Sequence, residues 1–294
     1  MTTSSMLMLL RTETSLHAGA GQSVAGIDLP IQREAHTQWP VVFGSAVKGA
    51  LRAHAEIRVS NAPIIDLFGP EPSAAAGERD SSHAGALMVG DACLLLLPIR
   101  SLQSCFKWVT CPAALDRFNR HAERLGLEAL PWSSDQVINT EEAACHKEFG
   151  TLFLEEFRFQ STTNDSVSAL ANAIAQRFTI DEATLKERLV VVHDDIFSFL
   201  ARNATAVNAH IAIDSDTKTV VNGALWYEES LPPETILYCP IVTTASRRKG
   251  SDLNDASKVS SAFQALIQQQ SWLQLGGNET TGMGWCKVAL ELNP

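Results

Sequence analysis

The sequence predicts an α+β fold in which helices pack on one side of an antiparallel sheet. Three observations predict it. Strand-like and helix-like segments are interspersed without strict β-α-β alternation, hairpin patterns recur, and no segment repeats at a solenoid period. With 294 residues, 45% hydrophobic and 19% charged, the chain has enough apolar surface to repay the entropy of ordering, which excludes a disordered polymer. The longest apolar run, Ala92 to Ile99, falls far short of the roughly 18–20 residues of a membrane helix. Residues 1–10 carry no positive charge ahead of Met6 to Leu10, so they read as a strand rather than a signal peptide. We expect a soluble, cytoplasmic protein with no membrane partner.

Residues 6–14 (MLMLLRTET) read as a strand, and Leu16-His17-Ala18-Gly19-Ala20-Gly21 as a tight turn. Gln22 to Pro40 holds two prolines and little periodicity, which predicts a long loop of the kind that carries function. Gly44-Ser45 opens a helix to about Arg58, with Ser45 as N-cap and Val47, Ala50, Leu51 and Ala55 near one face. Residues 59–83 are expected to form a connector, in which Gly69-Pro70-Glu71-Pro72-Ser73 and an Ala/Gly/Ser/Asp-rich tract predict mobility. Ala86 to Ile99 reads as a bent strand or strand pair, broken at Gly90-Asp91, and Pro112 to Leu125 as an amphipathic helix. Residues 150–159 form a strand, and 181–205 mix helix with a short strand at Leu189–Val192. Ala206–Ile213 and Thr219–Trp226 form a hairpin across residues 214–218. Leu237–Val242 is a strand, Lys258–Gln270 a helix and Trp285–Leu292 a final strand.

None of the six cysteines forms a C-x-x-C pair, so zinc-ribbon and thioredoxin-like chemistry are not supported and reduced, buried thiols are expected. The net charge of −10 argues against a nucleic-acid partner until its distribution is read. Residues 1–58 and residues 241–294 each carry five basic and four acidic groups, a net +1. Residues 141–195 carry five against eleven, a net −6, so an acidic chain can still present a basic groove if its two ends meet.

Three segments have the residue types for anion or phosphate chemistry. Gly276-Gly277-Asn278-Glu279-Thr280-Thr281-Gly282-Met283-Gly284 can bring backbone N–H groups close to phosphate oxygens, though alone it is equally a flexible turn. It is not a P-loop. Gly44-Ser45-Ala46-Val47-Lys48-Gly49-Ala50-Leu51-Arg52 starts a helix, whose free N–H groups attract an anion. Lys48 and Arg52, four apart, share a face that reaches a phosphodiester backbone or is simply solvated. Asp28, in Gly26-Ile27-Asp28-Leu29-Pro30-Ile31-Gln32-Arg33-Glu34, can bind Mg²⁺ through water or orient a ribose hydroxyl, or it can make an Asx turn before Pro30. His17 is a candidate acid or base, although a lone histidine is more often structural. In His193-Asp194-Asp195 an aspartate capping the next helix is simpler than a metal cluster.

Taken in order, L-H-A-G-x-G, G-I-D-x-P-I-Q-R-E, G-S-x-x-K-G-A-L-R and a C-terminal Gly-rich loop resemble the RAMP superfamily of CRISPR proteins. The Gly26–Glu34 loop and Gly223-Ala224-Leu225-Trp226-Tyr227-Glu228-Glu229 most resemble the repeated backbone subunit of type III-B, Cmr-type, effector complexes. The resemblance implies one elaborated domain over 1–294 with a ferredoxin-like (RRM-like) core, the palm, over about 1–58, 84–160 and 230–294. It also implies large insertions and a projecting thumb hairpin within 193–226. By the same resemblance, copies are expected to stack along a CRISPR guide RNA beside other type III-B subunits. Gly44, Ser45, Lys48, Gly49 and Arg52, with Gly276, Gly277, Gly282 and Gly284, are expected to hold the guide backbone. The resemblance further implies that the thumb displaces a base at intervals and that Asp28 cuts the complementary target RNA beside it with Mg²⁺ or another divalent cation.

One departure is that the family's G-S-S-L-K-G reads Gly44-Ser45-Ala46-Val47-Lys48-Gly49 here, which loses a hydroxyl donor. Two further functions stay open: a guide-binding scaffold that does not cut, and a metal-independent guide-processing ribonuclease using His17.

Overall fold

The computed structural model describes residues 3–23, 26–58, 63–70, 83–133 and 135–293. The strand Ser4–Thr12 (β1), paired on both its edges, explains why the sheet is covered on both faces. Side chains alternate across a strand, yet Met6 to Leu10 is apolar without alternation and every one of these residues is buried. Met6, Met8 and Leu10 join one core with Val47, Leu51, Val259 and Phe263. Leu7 and Leu9 join a second with Phe118, Leu170 and Ile174. Helices Gly44–Arg58 (α1) and Ala256–Gln269 (α7) therefore cover one face, and Pro112–Leu125 (α3) and Asp165–Phe178 (α4) the other. The expectation of helices on a single side is corrected here; the unbroken apolar run is the signal that both faces are buried.

Twelve strands hydrogen-bond together among the described residues. Around β1 lie Val41–Val42 (β2), Leu87–Val89 (β3), Ala92–Arg100 (β4), Phe106–Thr110 (β5), Glu142–Cys145 (β6), Thr151–Leu154 (β7), Phe157–Thr163 (β8) and Leu189–Val192 (β9). Ile236–Thr243 (β12), Trp272–Gln274 (β13) and Trp285–Leu292 (β14) complete the set. The order is β13-β14-β1-β12-β4-β5-β9-β6-β8-β7, with β2 on β4 and β3 on β12. β1 pairs antiparallel with both β12 and β14, which joins the two ends of the chain. The sheet is mixed rather than antiparallel, because β5 with β9 and β6 with β8 run parallel.

Most elements lie where the sequence predicts. The bend at Gly90-Asp91 separates β3 from β4, and α3 begins at Pro112 and ends before Gly126, which takes the left-handed conformation at φ 71°. The strand expected over 150–159 is the hairpin β7–β8. Helix α4 is absent from the sequence-based expectations, although Asn164 accepts the Ser166 N–H as an N-cap and Val167, Leu170, Ala171 and Ile174 follow at helical spacing. Much of the expected connector over 59–83 lies outside the described residues; its described part includes the short helix Ile64–Phe68 (α2). Two capping expectations change. Helix α1 already includes Gly44, so Ser45 is inside it, and the Gly44 N–H is taken at 2.7 Å by Asp91 from the β3–β4 bend. Helix Asp194–Asn203 (α6), after Glu182–Arg188 (α5), is capped by His193, and Asp194 instead accepts the Ala113 N–H at the start of α3.

The hairpin stands apart. Ala206–Ile213 (β10) and Val220–Ser230 (β11) form their own two-stranded ribbon. Val207, Ile211, Ile213, Leu225 and Tyr227 lie exposed along it, and only its base at Glu228, Glu229 and Ser230 is buried. This is longer than the expected hairpin, by four residues past Trp226.

Burial also sets a pH response. The His121 ring packs against Tyr238, 5.7 Å between centroids, and its Nδ1 has no hydrogen-bond partner. Burial pushes its pKa down, helped by Arg124, Arg117 and Arg120. Below an ordinary histidine pKa of about 6.5 the unfolded chain takes a proton that the folded chain resists, so stability falls as pH falls. His121→Phe is expected to flatten that acid limb in urea midpoints measured at about pH 7.5 and about pH 5.5. An unchanged slope would assign the limb to other groups.

Candidate nucleic-acid interface

The loop that carries Asp28 reaches the base of the ribbon by adding to its free edge. The Leu29 N–H donates to Tyr227 O at 3.0 Å and the Glu229 N–H donates to Leu29 O at 3.0 Å. Asp28 is exposed, and its Oδ2 accepts the Tyr227 N–H at 2.7 Å. A cleft of about 370 Å³ opens there, lined by Gln22, Ser23, Asp28, Leu29 and Trp226. The Trp226 ring stacks on His210, with centroids 5.5 Å apart and planes 15° from parallel. Cross-strand pairing of His210 with Trp226 puts both on the ribbon face that continues to Glu228.

Glu228 and Glu229 bind three sequence-predicted segments together from below. His17 Nδ1 donates to Glu229 O at 2.7 Å and lies 4.0 Å from Glu228 Oε1. Asn278, in the Gly-rich loop, donates from its amide to the Glu228 carboxylate. The Gly277 N–H donates to His17 O at 2.9 Å. Gly276 is the residue that permits this approach: its φ is 76°, and a Cβ there would stand 2.2 Å from His17 O. The structure thus gathers His17, Asp28, Gly276 and Gly277 around two glutamates. The sequence motif contains Glu228 and Glu229 without revealing their role; their signal is two adjacent carboxylates on a strand that enters the core.

The lysine-bearing helix faces elsewhere. The Gly-rich loop meets α1 across Ala50, Ala53, His54 and Ile57, which line a cleft of about 210 Å³ with Glu279, Thr280 and Trp285. Lys48 and Arg52 turn from that cleft: Lys48 Nζ donates to Leu87 O at 3.0 Å, and Arg52 donates to Gly69 O and Glu56 at 2.8 Å each. Gly44 is packed against the β3–β4 bend, where a Cβ would meet Val89 O at 2.5 Å. Gly49 and Gly282 have open space around them, and Gly284 is buried where its N–H reaches Ser15 O at 2.8 Å. Burial lowers the Lys48 pKa, and nearby Arg247 lowers it further. Arg247, Arg248 and Lys249 are exposed, Arg247 acts on Lys48, and β1 pairs with β12 and β14, so the two weakly basic ends of the chain do meet in space. The run Arg247-Arg248-Lys249 is plain in the sequence, but nothing local ties it to Lys48.

The family model described as the RAMP superfamily matches residues 9–287. This chain belongs to the RAMP superfamily. Within it, the chain is 36% identical over 294 residues to the CRISPR system Cmr endoribonuclease Cmr4 of Pyrococcus furiosus, covering 97% of this chain and 95% of that protein. It is 25% identical to the CRISPR system CMR subunit Cmr4 of Saccharolobus solfataricus, over 94% and 92% of the two chains. Among solved structures, oligomeric Cmr4 from Pyrococcus furiosus superposes with a TM-score of 0.72 at 28% identity, covering 98% of each chain. A chain of the type III-B Cmr-beta complex bound to cognate target RNA shares the fold, with a TM-score of 0.75 at 21% identity over 97% and 96%. Among the described residues no helix is long and apolar enough to cross a membrane.

Proposed function

We propose that this chain is the repeated backbone subunit of a type III-B CRISPR complex. It binds guide RNA, assembles with further copies of itself and with other type III-B subunits in the cytoplasm, and cuts complementary target RNA at regular intervals. The observation that carries the reading is the exposed Asp28 carboxylate, held at the edge of a projecting ribbon beside an aromatic-lined cleft. The likeness to a protein named an endoribonuclease supports it. In this reading the palm has a ferredoxin-like (RRM-like) core over about 1–58, 84–160 and 230–294, the 193–226 region supplies the thumb, and α1 with the Gly-rich loop tracks the guide backbone.

The proposed reaction needs one carboxylate per subunit. The ribose 2′-oxygen attacks the adjacent phosphorus, the phosphorus–5′-oxygen bond breaks, and the leaving oxygen takes a proton from water. Asp28 Oδ1, the oxygen not bonded to the Tyr227 N–H, accepts the 2′-hydroxyl proton. Among the described residues no group of three or more His, Cys, Asp or Glu side chains could cage a metal ion. One carboxylate does fit Mg²⁺, which keeps several waters and shares substrate phosphates. Asp28, through a water of the ion's shell, and the RNA's own oxygens would hold that ion, which would supply charge neutralisation at the scissile phosphate. Guide pairing reads the sequence, so these contacts can be indifferent to it.

A scaffold without cutting activity has its own supporting observation: Asp28, Lys48 and Arg52 all have protein partners in the chain alone. Reconstituting the complex with guide and complementary RNA separates the readings. Regularly spaced cuts that need Mg²⁺ support the proposal, target binding without cuts leaves the scaffold, and cuts persisting in EDTA favour a metal-independent ribonuclease. Trp226→Ala is expected to weaken target RNA binding roughly tenfold, within the ~1–3 kcal/mol of one base–aromatic stack. Unchanged affinity in a titration would confine that ring to packing on His210.

A further inference from the structure

We propose that Arg33 is the positioning residue that fixes Asp28 against the ribbon, an inference that rests on the reading of Asp28 as the cutting residue. The Arg33 guanidinium ties three separate segments together. On its own loop, Nη1 donates to Gln38 O at 2.7 Å. On α6 and the bend that leads into β10, Nη1 donates to Ala201 O at 2.9 Å, and Nη2 donates to Arg202 O at 3.4 Å and to Thr205 Oγ1 at 3.3 Å. At the base of β11, Nη2 pairs with the Glu229 carboxylate.

Glu229 returns the connection to the Asp28 loop. Its Oε2 accepts the Ile31 N–H at 3.1 Å, and its own N–H donates to Leu29 O at 3.0 Å. Thr205 Oγ1 donates to Glu229 Oε1 at 2.6 Å, so the bend before β10, the base of β11 and the loop meet at one ion pair. Its side chains are 14% and 3% accessible, which keeps the charges from solvent screening. The last carbonyls of α6 also lie at the negative end of that helix, where a cation is favoured.

Only arginine meets these demands. Its planar fork reaches several acceptors in fixed directions, whereas lysine offers one compact ammonium. With lysine at this position the charge of Glu229 is still answered, but the carbonyls of α6 and Gln38 lose their donor. The Asp28 loop is then free to shift against the ribbon. A displacement of about 1 Å at a reacting group costs on the order of 100-fold in rate. Neighbouring Glu34 faces the other way, toward Arg117, so the two consecutive residues pin opposite sides of the loop.

The test uses the reconstituted complex and single-turnover cutting of guide-complementary RNA at saturating target. Arg33→Lys is expected to slow cutting about 10- to 100-fold while assembly and target affinity stay within about twofold. In an Asp28→Asn background it is expected to add no further loss. Wild-type cutting by Arg33→Lys, or a fall in target affinity that matches the fall in rate, overturns the inference. If Arg33→Lys fails to assemble, Thr205→Val decides: it removes one partner of the pair and is expected to cut more slowly with unchanged target affinity, and a wild-type rate overturns the inference. Asp28→Ala run in parallel keeps the two ideas apart. If that variant still cuts, the reading of Asp28 has failed; if it does not cut and Arg33→Lys does, only the positioning role has failed.

Discussion

Asp28→Ala is expected to abolish guide-directed cutting and leave the complex assembled and bound to its target. A positioned acid or base is worth about 10²- to 10⁴-fold in rate, so residual product should fall below about a hundredth of wild type. The structural cost is small by comparison. The carboxylate is exposed, and the bond it loses, from the Tyr227 N–H, contributes about 0.5–1.5 kcal/mol at most. Asp28→Asn sharpens the experiment, because an amide oxygen still accepts that N–H but carries no charge and takes no proton. If chemistry is what Asp28 supplies, both variants lose cutting alike. Full activity in Asp28→Asn would reduce this aspartate to a bracket between loop and ribbon. The measurement is product formation against time with Mg²⁺, with target affinity recorded on the same preparations.

The largest stability effect is expected on the opposite side of the same loop. Glu34 pairs with Arg117 of α3, the two side chains being 12% and 14% accessible. Arg117 also donates to Leu94 O at 3.1 Å and lies 5.0 Å over the Trp39 ring, while Thr37 Oγ1 donates to the second oxygen of Glu34. Removing one member leaves the other charge buried without its partner, which costs about 3–5 kcal/mol. Glu34→Ala should therefore lower the urea unfolding midpoint substantially, whereas Arg33→Lys acts mainly on cutting. A loss below about 1 kcal/mol would put the pair among solvent-screened surface bridges.

Much of the architecture was legible because local rules decided it. Pro112 and Gly126 bracket α3, Gly90-Asp91 breaks β3 from β4, and the polar run at 214–218 turns the ribbon. The errors arose where distant segments decided the outcome. Ser45 has the right residue type for an N-cap, but Asp91 arrives from a strand bend and takes the Gly44 N–H instead. The parallel pairings of β5 with β9 and β6 with β8 join strands separated by helices or by another strand, and no local pattern states them. The Lys48–Arg52 pair does share a face of α1, as its spacing requires, yet the neighbours on that face are carbonyls of this chain.

The chemical inventory was readable in the order of residues: a lone aspartate in a loop, a glycine-rich turn near each end, a lysine-bearing helix and a hairpin long enough to project. The order of those motifs also carried the family. Which of them meet depends on pairing between distant segments. His17, Asp28 and the Gly-rich loop converge because β1 pairs with both β12 and β14, and because Glu228 and Glu229 turn inward at the base of the ribbon. The physical reason is that side-chain periodicity is a property of a few consecutive residues, whereas a buried carboxylate must find its donors wherever the fold brings them. Arg33 shows the difference, since its charge is plain in the sequence and its partners lie on α6, on the bend before β10 and at the base of β11.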